Sequence, residues 1–294
     1  MSKKLQGSIM LLITAMIWGT AFVAQSEGMK YVRPFTYNSV RTLLGGIVLI
    51  PIIFLFRVKD KKREKSRLPE TISGGICCGI ILFIASSLQQ YGISLTSAGK
   101  AGFITALYVI IVPLLGIFLG KKCSLKVWIC AVIAVTGFYL LCIEEGLTLS
   151  KGDLYVLMCS FFYALHILTI DHFNAKNADG MMMSCIQFFT AGTLMSVCMF
   201  LFEEPHVNDI IAARYTILYT GIMSCGAAYT LQIIGQRFTP PAIATLLMSL
   251  ESVFAALSGW LILSEQLSAK ELTGCALVFA AVIIAQLDIK RRSA

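Results

Sequence analysis

Residues 85–119 read ASSLQQYGISLTSAGKAGFITALYVIIVPLLGIFL, and residues 228–262 read AYTLQIIGQRFTPPAIATLLMSLESVFAALSGWLI. Offset by 143 positions and without a gap, Ala85/Ala228, Leu88/Leu231, Gln89/Gln232, Gly92/Gly235, Thr96/Thr239, Ala101/Ala244, Leu107/Leu250 and Gly116/Gly259 coincide. Each copy is an apolar segment, a tight polar turn and a second apolar segment. The Gln, the two Gly and the Thr are not generic filler of apolar helices, so the match is a repeat and not shared composition. Inside a membrane-like sequence, a repeat of this length is the pattern of a transporter built from two halves.

Composition agrees. Of 294 residues, 57% are hydrophobic and only 14% charged, where a soluble domain carries about a quarter. The chain reads as an integral membrane protein. Its net charge of +8 is read as Lys and Arg collected in cytoplasmic loops, with no nucleic-acid partner. The ten cysteines lie mostly in apolar segments, as Cys77, Cys130, Cys159, Cys198 and Cys275 do, with no C-x-x-C and no Cys/His cluster. They read as small packing residues, so neither metal nor cofactor is expected. The first apolar stretch, Ile9–Ala24 after Lys3 and Lys4, is long for a signal peptide, and a cut after Ala24 would put Phe22 at the minus-three position. It is read as a first membrane helix.

Ten stretches are long enough to cross ~30 Å of hydrocarbon, which takes roughly 20 helical residues. They are Gly7–Gln25, Pro34–Phe56, Ile72–Ile93, Ser97–Leu119, Leu125–Cys142, Leu154–Thr169, Met181–Phe202, Tyr215–Gln236, Pro240–Leu263 and Ala269–Leu287. Helices are required, because a spanning backbone must satisfy its own hydrogen bonds. Pro34 and Pro240 suit first helical turns, Thr239 is placed to cap the ninth span, and Ser268 with Glu271 forms a capping box. Pro51 and Pro113 fall inside spans and should kink them.

With the amino terminus inside, inner segments hold seventeen Lys and Arg and outer segments six, namely Lys30, Arg33, Lys100, Lys151, Arg214 and Lys270. That asymmetry puts both termini in the cytoplasm. Five spans per half is an odd number, so repeats over 7–143 and 152–287 enter the membrane in opposite directions. Gly7/Gly152, Leu12/Leu157 and the aromatic pair Trp18/Tyr163 agree at an offset of 145. The expected fold class is therefore all-α, with ten transmembrane helices in two inverted five-helix repeats. Inverted repeats provide two nearly equal conformations, the basis of alternating access. The longest loop, Arg57–Pro69, is basic and reads as solvated and touching anionic headgroups, with a docking role left open.

Four stretches carry a family resemblance: WGTAFVAQ (18–25), RPFTYNSVRTLLGG (33–46), SAGKAGFITALYVIIVPLLGIFLGKK (97–122) and PAIATLLMSLESVFAALSGWLILSEQLS (241–268). With the five-plus-five layout, the chain resembles the EamA-type transporters of the drug/metabolite transporter superfamily, over nearly its whole length. The resemblance implies a multi-pass cell-membrane protein that moves small metabolites, in the export direction, through a cavity between its halves. It implies no particular substrate. One departure is visible: the acidic residue usual after the fourth span, seen as Glu265 after the ninth, is replaced by Lys121 and Lys122.

A charge at mid-bilayer costs ~2.5–3.5 kcal/mol on insertion scales, so each one needs a reason. Glu251 sits mid-span, on a stripe of mostly small residues with Ala244, Met248, Ala255 and Ser258. It suits proton coupling or the binding of a cationic substrate group, against a hydrogen-bonded structural Glu; its repeat partner is Tyr108. Arg41, about two turns into the second span, could meet a substrate carboxylate or snorkel to the surface. Gln89 and Gln232, at equivalent positions, either line the pathway or bond between helices. His166, in the sixth span, is a proton-relay candidate or a packing residue. Asp171 and His172 follow it at the inner end and read as solvated. Trp18, Phe22, Tyr91, Tyr108 and Tyr163 could line a pocket, and Trp18 beside Gly19 is the strongest of these. Lys100, at the outer surface, reads as an anchor or an attractor of anions.

The partners expected are a small-molecule substrate and the lipid bilayer, with proton coupling an option and the oligomeric state open. The Gly116–Gly120 spacing could serve packing within or between chains. No G-x-x-x-x-G-K-[ST], G-x-S-x-G or H-E-x-x-H occurs, and His166, His172 and His206 are scattered. A secondary transporter is the reading these features favour; an intramembrane enzyme or a non-transporting scaffold or receptor is the alternative.

Overall fold

The computed structural model describes residues 2–59, 67–96, 98–121, 123–142, 150–263 and 268–287. The Arg57–Pro69 loop for the most part, Lys122, Glu265 and the side chain of Glu271 lie outside the described residues. The described chain is helical: α1 (Lys3–Gly28), α2 (Pro34–Lys59), α3 (Leu68–Ile93), α4 (Ala98–Thr105), α5 (Tyr108–Phe118), α6 (Leu125–Cys142) and α7 (Lys151–Ala175). It continues through α8 (Gly180–Phe202), α9 (Val207–Ala212), α10 (Arg214–Tyr219), a π-helical segment (Thr220–Tyr229), α11 (Thr230–Gln236), α12 (Pro241–Met248), α13 (Glu251–Leu263) and α14 (Ala269–Leu287). Eight helical stretches are long and apolar enough to cross a membrane, and Leu125–Leu140 and Leu272–Gln286 are shorter apolar helices. Large apolar side chains cover the outside; Phe118 is 86% exposed and Phe200 72%. In water such a surface would associate, whereas in hydrocarbon it is matched to its solvent.

The bundle has two ends: a proximal end, where α1 begins, and a distal end, where α1 finishes. α3 packs along α7 and α8, α2 along α8 and the π segment, and α6 along α14. α1 lies against the π segment, α11, α12 and α13. At the distal end Glu203, the C-cap residue of α8, is buried against the start of α2. Its carboxylate accepts from Phe35 N at 2.9 Å, Thr36 N at 2.7 Å and Thr36 Oγ1 at 2.7 Å. A carboxylate on free amides at a positive helix end answers both the orphan donors and the helix dipole.

Two apolar stretches are interrupted at the same repeat position. α4 gives way to α5 at Ala106–Leu107, and α12 to α13 at Ser249–Leu250. At both breaks the backbone shortens its bonds: Leu107 N reaches Ile104 O and Val109 N reaches Ala106 O, as Leu250 N reaches Leu247 O and Ser252 N reaches Ser249 O. Ser252 Oγ also donates to Gly102 O at 3.1 Å, stitching the halves together. Non-helical backbone at this depth is tolerated where protein surrounds it or it lines a cavity. The first break precedes Pro113, which stays inside α5.

Several local expectations are corrected. Thr239 does not cap the ninth span: the N-cap is Pro240, and Thr239 Oγ1 is buried without a partner. Pro241, at the second position after Thr239, has no amide proton, so one of the two amides a cap there would bond is missing. Among the described residues, no other helix packs on Gly116 or Gly120. Gly120 takes φ +73°, the left-handed turn that ends α5, and Gly116 faces only Lys121. The sequence signature missed is Ser150–Asp153, a complete capping box at the start of α7.

Candidate functional site

Between the two halves lies a cavity lined by side chains of both. Trp18, Phe22 and Gln25 face it from α1, Arg41 from α2 and Gln89 from α3. The two broken stretches supply Thr105, Tyr108 and Glu251. Tyr163 and Ile167 enter from α7, and Ser224, Tyr229 and Gln232 from the π segment and α11. A π segment widens a helix by one residue per turn and is common at functional sites. Here it ends on Tyr229, whose ring meets the edge of Trp18 with centroids 4.7 Å apart.

Glu251 begins α13, directly after the break, and is 3% exposed. Tyr108 begins α5 and donates from Oη to Glu251 Oε1 at 2.9 Å. Gly19 lets α1 close on this point: a Cβ there would stand 2.7 Å from Glu251 O and 2.5 Å from Phe254 Cβ. That approach sets Trp18 beside the acid.

Arg41 is 5% exposed and does not snorkel. Its Nε donates to Asn38 Oδ1 at 2.8 Å, and Asn38 Nδ2 is anchored on Ser86 O at 2.9 Å. The guanidinium stands 5.5 Å from the Tyr37 ring centroid, within cation–π range. No carboxylate pairs with it among the described residues. The cavity thus holds one guanidinium and one carboxyl group that are not paired with each other.

A polar chain joins the halves along one wall. Tyr229 Oη donates to Tyr163 Oη at 3.3 Å, Tyr163 Oη to Gln89 Oε1 at 3.0 Å, and Gln89 Nε2 to Thr105 Oγ1 at 3.3 Å. Three buried atoms on the lining have no partner among the described residues: Trp18 Nε1, Gln25 Oε1 and Gln232 Oε1. Buried polar groups are costly when unmet, so these are places where a ligand or water is favoured.

The structure brings together Trp18, Phe22, Arg41, Gln89, Tyr108, Tyr163, Gln232 and Glu251 of the residues singled out from the sequence. His166 stands apart. It is fully buried behind Tyr229, bonded through Nε2 to Gln187 Oε1 at 3.0 Å. Tyr91 is also away from the cavity, edge-on to Phe35 at 5.3 Å. Lys100 is no simple anchor, since it pairs with Asp153 at 2.9 Å, and Asp171 pairs with Lys121. Tyr229, Thr105 and Ser224 were not picked out from the sequence. Tyr229 could have been, because it precedes Gln232 by three residues and shares its helix face.

A helical bundle with an apolar exterior and a cavity carrying polar and charged side chains between two repeated halves is the architecture of a multi-pass membrane transporter. The model described as the EamA-like transporter family matches residues 5–143 and again 150–286, and the chain belongs to that family. An uncharacterized transporter of Archaeoglobus fulgidus is 28% identical, over 98% of this chain and 88% of its own. The threonine/homoserine exporter RhtA of Escherichia coli K12 is 25% identical, over 97% of this chain and 92% of its own. A solved crystal structure superposes with a TM-score of 0.80 at 19% identity, covering 98% of this chain and 99% of that one.

Proposed function

We propose that the chain is a secondary exporter that moves small zwitterionic metabolites, amino acids foremost, through the central cavity by alternating access. In this reading ten helical spans form two inverted repeats, 7–143 and 152–287, with both termini in the cytoplasm of a cell-membrane protein. The observation that carries it is the presence of Arg41 and Glu251 in one cavity, each without the other as partner. An ammonium group answers Glu251 and a carboxylate answers Arg41, at a site where burial makes an unmatched charge expensive. The name of the relative RhtA, a threonine/homoserine exporter, supports this substrate class. Glu251 carries a second role as the proton-coupling group: a carboxyl at mid-membrane can exchange a proton for a cationic substrate group. Tyr108, Trp18, Tyr163, Tyr229 and the two glutamines shape the pocket around them.

The test is flux in proteoliposomes loaded with labelled amino acids, with and without a pH gradient. Saturable movement of zwitterions and none of their decarboxylated amines is the expected result. Movement of neutral or purely anionic solutes alone would overturn the substrate class. Absence of any flux, with turnover of a lipid or peptide bond instead, would favour the enzyme alternative.

A further inference from the structure

Two close helix crossings, one toward each end of the bundle, are related by the repeat. At the distal end α3 meets α7 at Gly92 and Gly152. A Cβ on Gly92 would stand 2.3 Å from Val156 Cγ2, and one on Gly152 would stand 3.0 Å from Gly92 O. At the proximal end α11 meets α1 at Gly235 and Gly7, where a Cβ on Gly7 would stand 2.9 Å from Gly235 O. Gly92 and Gly235 correspond at the offset of 143, and Gly152 and Gly7 at 145. Each crossing lies three residues beyond a cavity glutamine, Gln89 or Gln232, and each has a threonine four residues further on, Thr96 or Thr239.

The chemistry of the two crossings differs. At the distal one, Asp153 Oδ1 accepts from Thr96 Oγ1 at 2.7 Å, while Oδ2 accepts from Lys100 Nζ at 2.9 Å and Ser150 N at 2.8 Å. The Asp153 side chain is fully buried and that of Lys100 is 26% exposed. At the proximal one, the positions equivalent to Asp153 and Lys100 are Ser8 and Ile243, and Thr239 Oγ1 is buried with no partner.

We propose that Asp153 and Lys100 form a charge latch that holds the distal mouth shut, and that its absence from the proximal crossing biases the resting protein to open proximally. The inference rests on the alternating-access reading. Inverted repeats make the two states nearly equal in energy, so a modest asymmetric contact decides which one is populated. Opening the distal crossing separates α4 and the α3–α4 turn from the start of α7, leaving a buried carboxylate without its cation. Opening the proximal crossing parts the packed glycines with Leu11 and Phe238, and among the described residues no ion pair holds it. For an exporter with cytoplasmic termini, the favoured state is the one that loads substrate.

The test places a reporter cysteine in the cavity, Ser224→Cys, in a chain whose native cysteines are replaced. Labelling by a membrane-impermeant thiol reagent is timed from each face, in right-side-out and inverted vesicles. The expected result is faster labelling from the proximal face. Asp153→Asn and Lys100→Gln should each raise the distal rate by about tenfold or more, while Lys100→Arg, which keeps the cation, should not. Building the pair at the other crossing, with Ser8→Asp and Ile243→Lys together, should slow proximal labelling. Unchanged distal rates in both Asp153→Asn and Lys100→Gln, with both variants folded by thermal melt, would overturn the latch. If flux of amino acids is intact and labelling ignores the latch, only the latch fails. If labelling follows the latch but no solute moves, the gate stands and the transport reading fails.

Discussion

Tyr108 and Glu251 are separated by the 143-residue repeat offset and are hydrogen-bonded to each other, Oη to Oε1 at 2.9 Å. Equivalent residues of a two-fold arrangement can touch only near its axis. The contact joins the two halves at equivalent positions of the repeat, and it puts an acid and a phenol where an exact repeat would put two of a kind. Each follows the interruption of its own helix, so the pair is positioned by two matching breaks.

Glu251→Gln should abolish pH-gradient-driven transport while leaving expression and the melting temperature close to wild type. The amide keeps an acceptor for Tyr108 but exchanges no proton. Uptake driven by an imposed gradient, compared with solute exchange at equal pH, is the measurement. Full coupling in the variant would rule out the proton role.

Arg41→Lys should weaken the binding of carboxylate-bearing solutes by about tenfold, the loss of roughly one charge-assisted hydrogen bond (~1.5 kcal/mol). Lys cannot keep both the Asn38 contact and a planar face toward the cavity. Ligand-induced thermal stabilisation, read against an amino acid and its decarboxylated amine, checks this. The amine should respond little to the substitution.

Glu203→Ala should destabilise the fold without touching the cavity. It removes the acceptor of three hydrogen bonds and leaves the first amides of α2 unmet. A loss of about 2–3 kcal/mol is expected for charged, buried hydrogen bonds. Thermal unfolding in detergent should show a clear drop, smaller in Glu203→Gln, with the flux per folded molecule preserved.

Gly152→Ala and Gly116→Ala form a matched pair. The first introduces a methyl 2.9 Å from Leu95 backbone and 3.0 Å from Gly92 O, so the crossing must part; the second meets only Lys121 Cβ at 3.7 Å. Gly116→Ala should be neutral or stabilising by about 0.5–1 kcal/mol, and Gly152→Ala clearly destabilising. Melting curves of the two variants decide it, and equal effects would contradict the packing described.

Much of this was legible in the chain. The Gln89/Gln232, Gly92/Gly235 and Thr96/Thr239 matches exposed the repeat, and the cost of burying Glu251 and Arg41 in an apolar span marked them. What the chain concealed was mutual placement. His166 has the same apolar surroundings as Tyr163 in sequence, yet it stands behind the wall while Tyr163 faces the cavity. Asp153 passed unread as one half of a Ser-x-x-Asp cap, and its bond to Lys100 spans 53 residues of chain.

By itself the sequence determined that apolar helices of membrane length recur in two related halves, because hydrocarbon demands long uncharged segments and a repeat is read directly from register. Only the tertiary structure decided which face of each helix turns inward. In water an amphipathic stripe reveals that face. Here lipid on one side and protein on the other are both apolar, so periodicity is faint, and packing alone brought Tyr229, Thr105 and Ser224 to the cavity and turned His166 away from it.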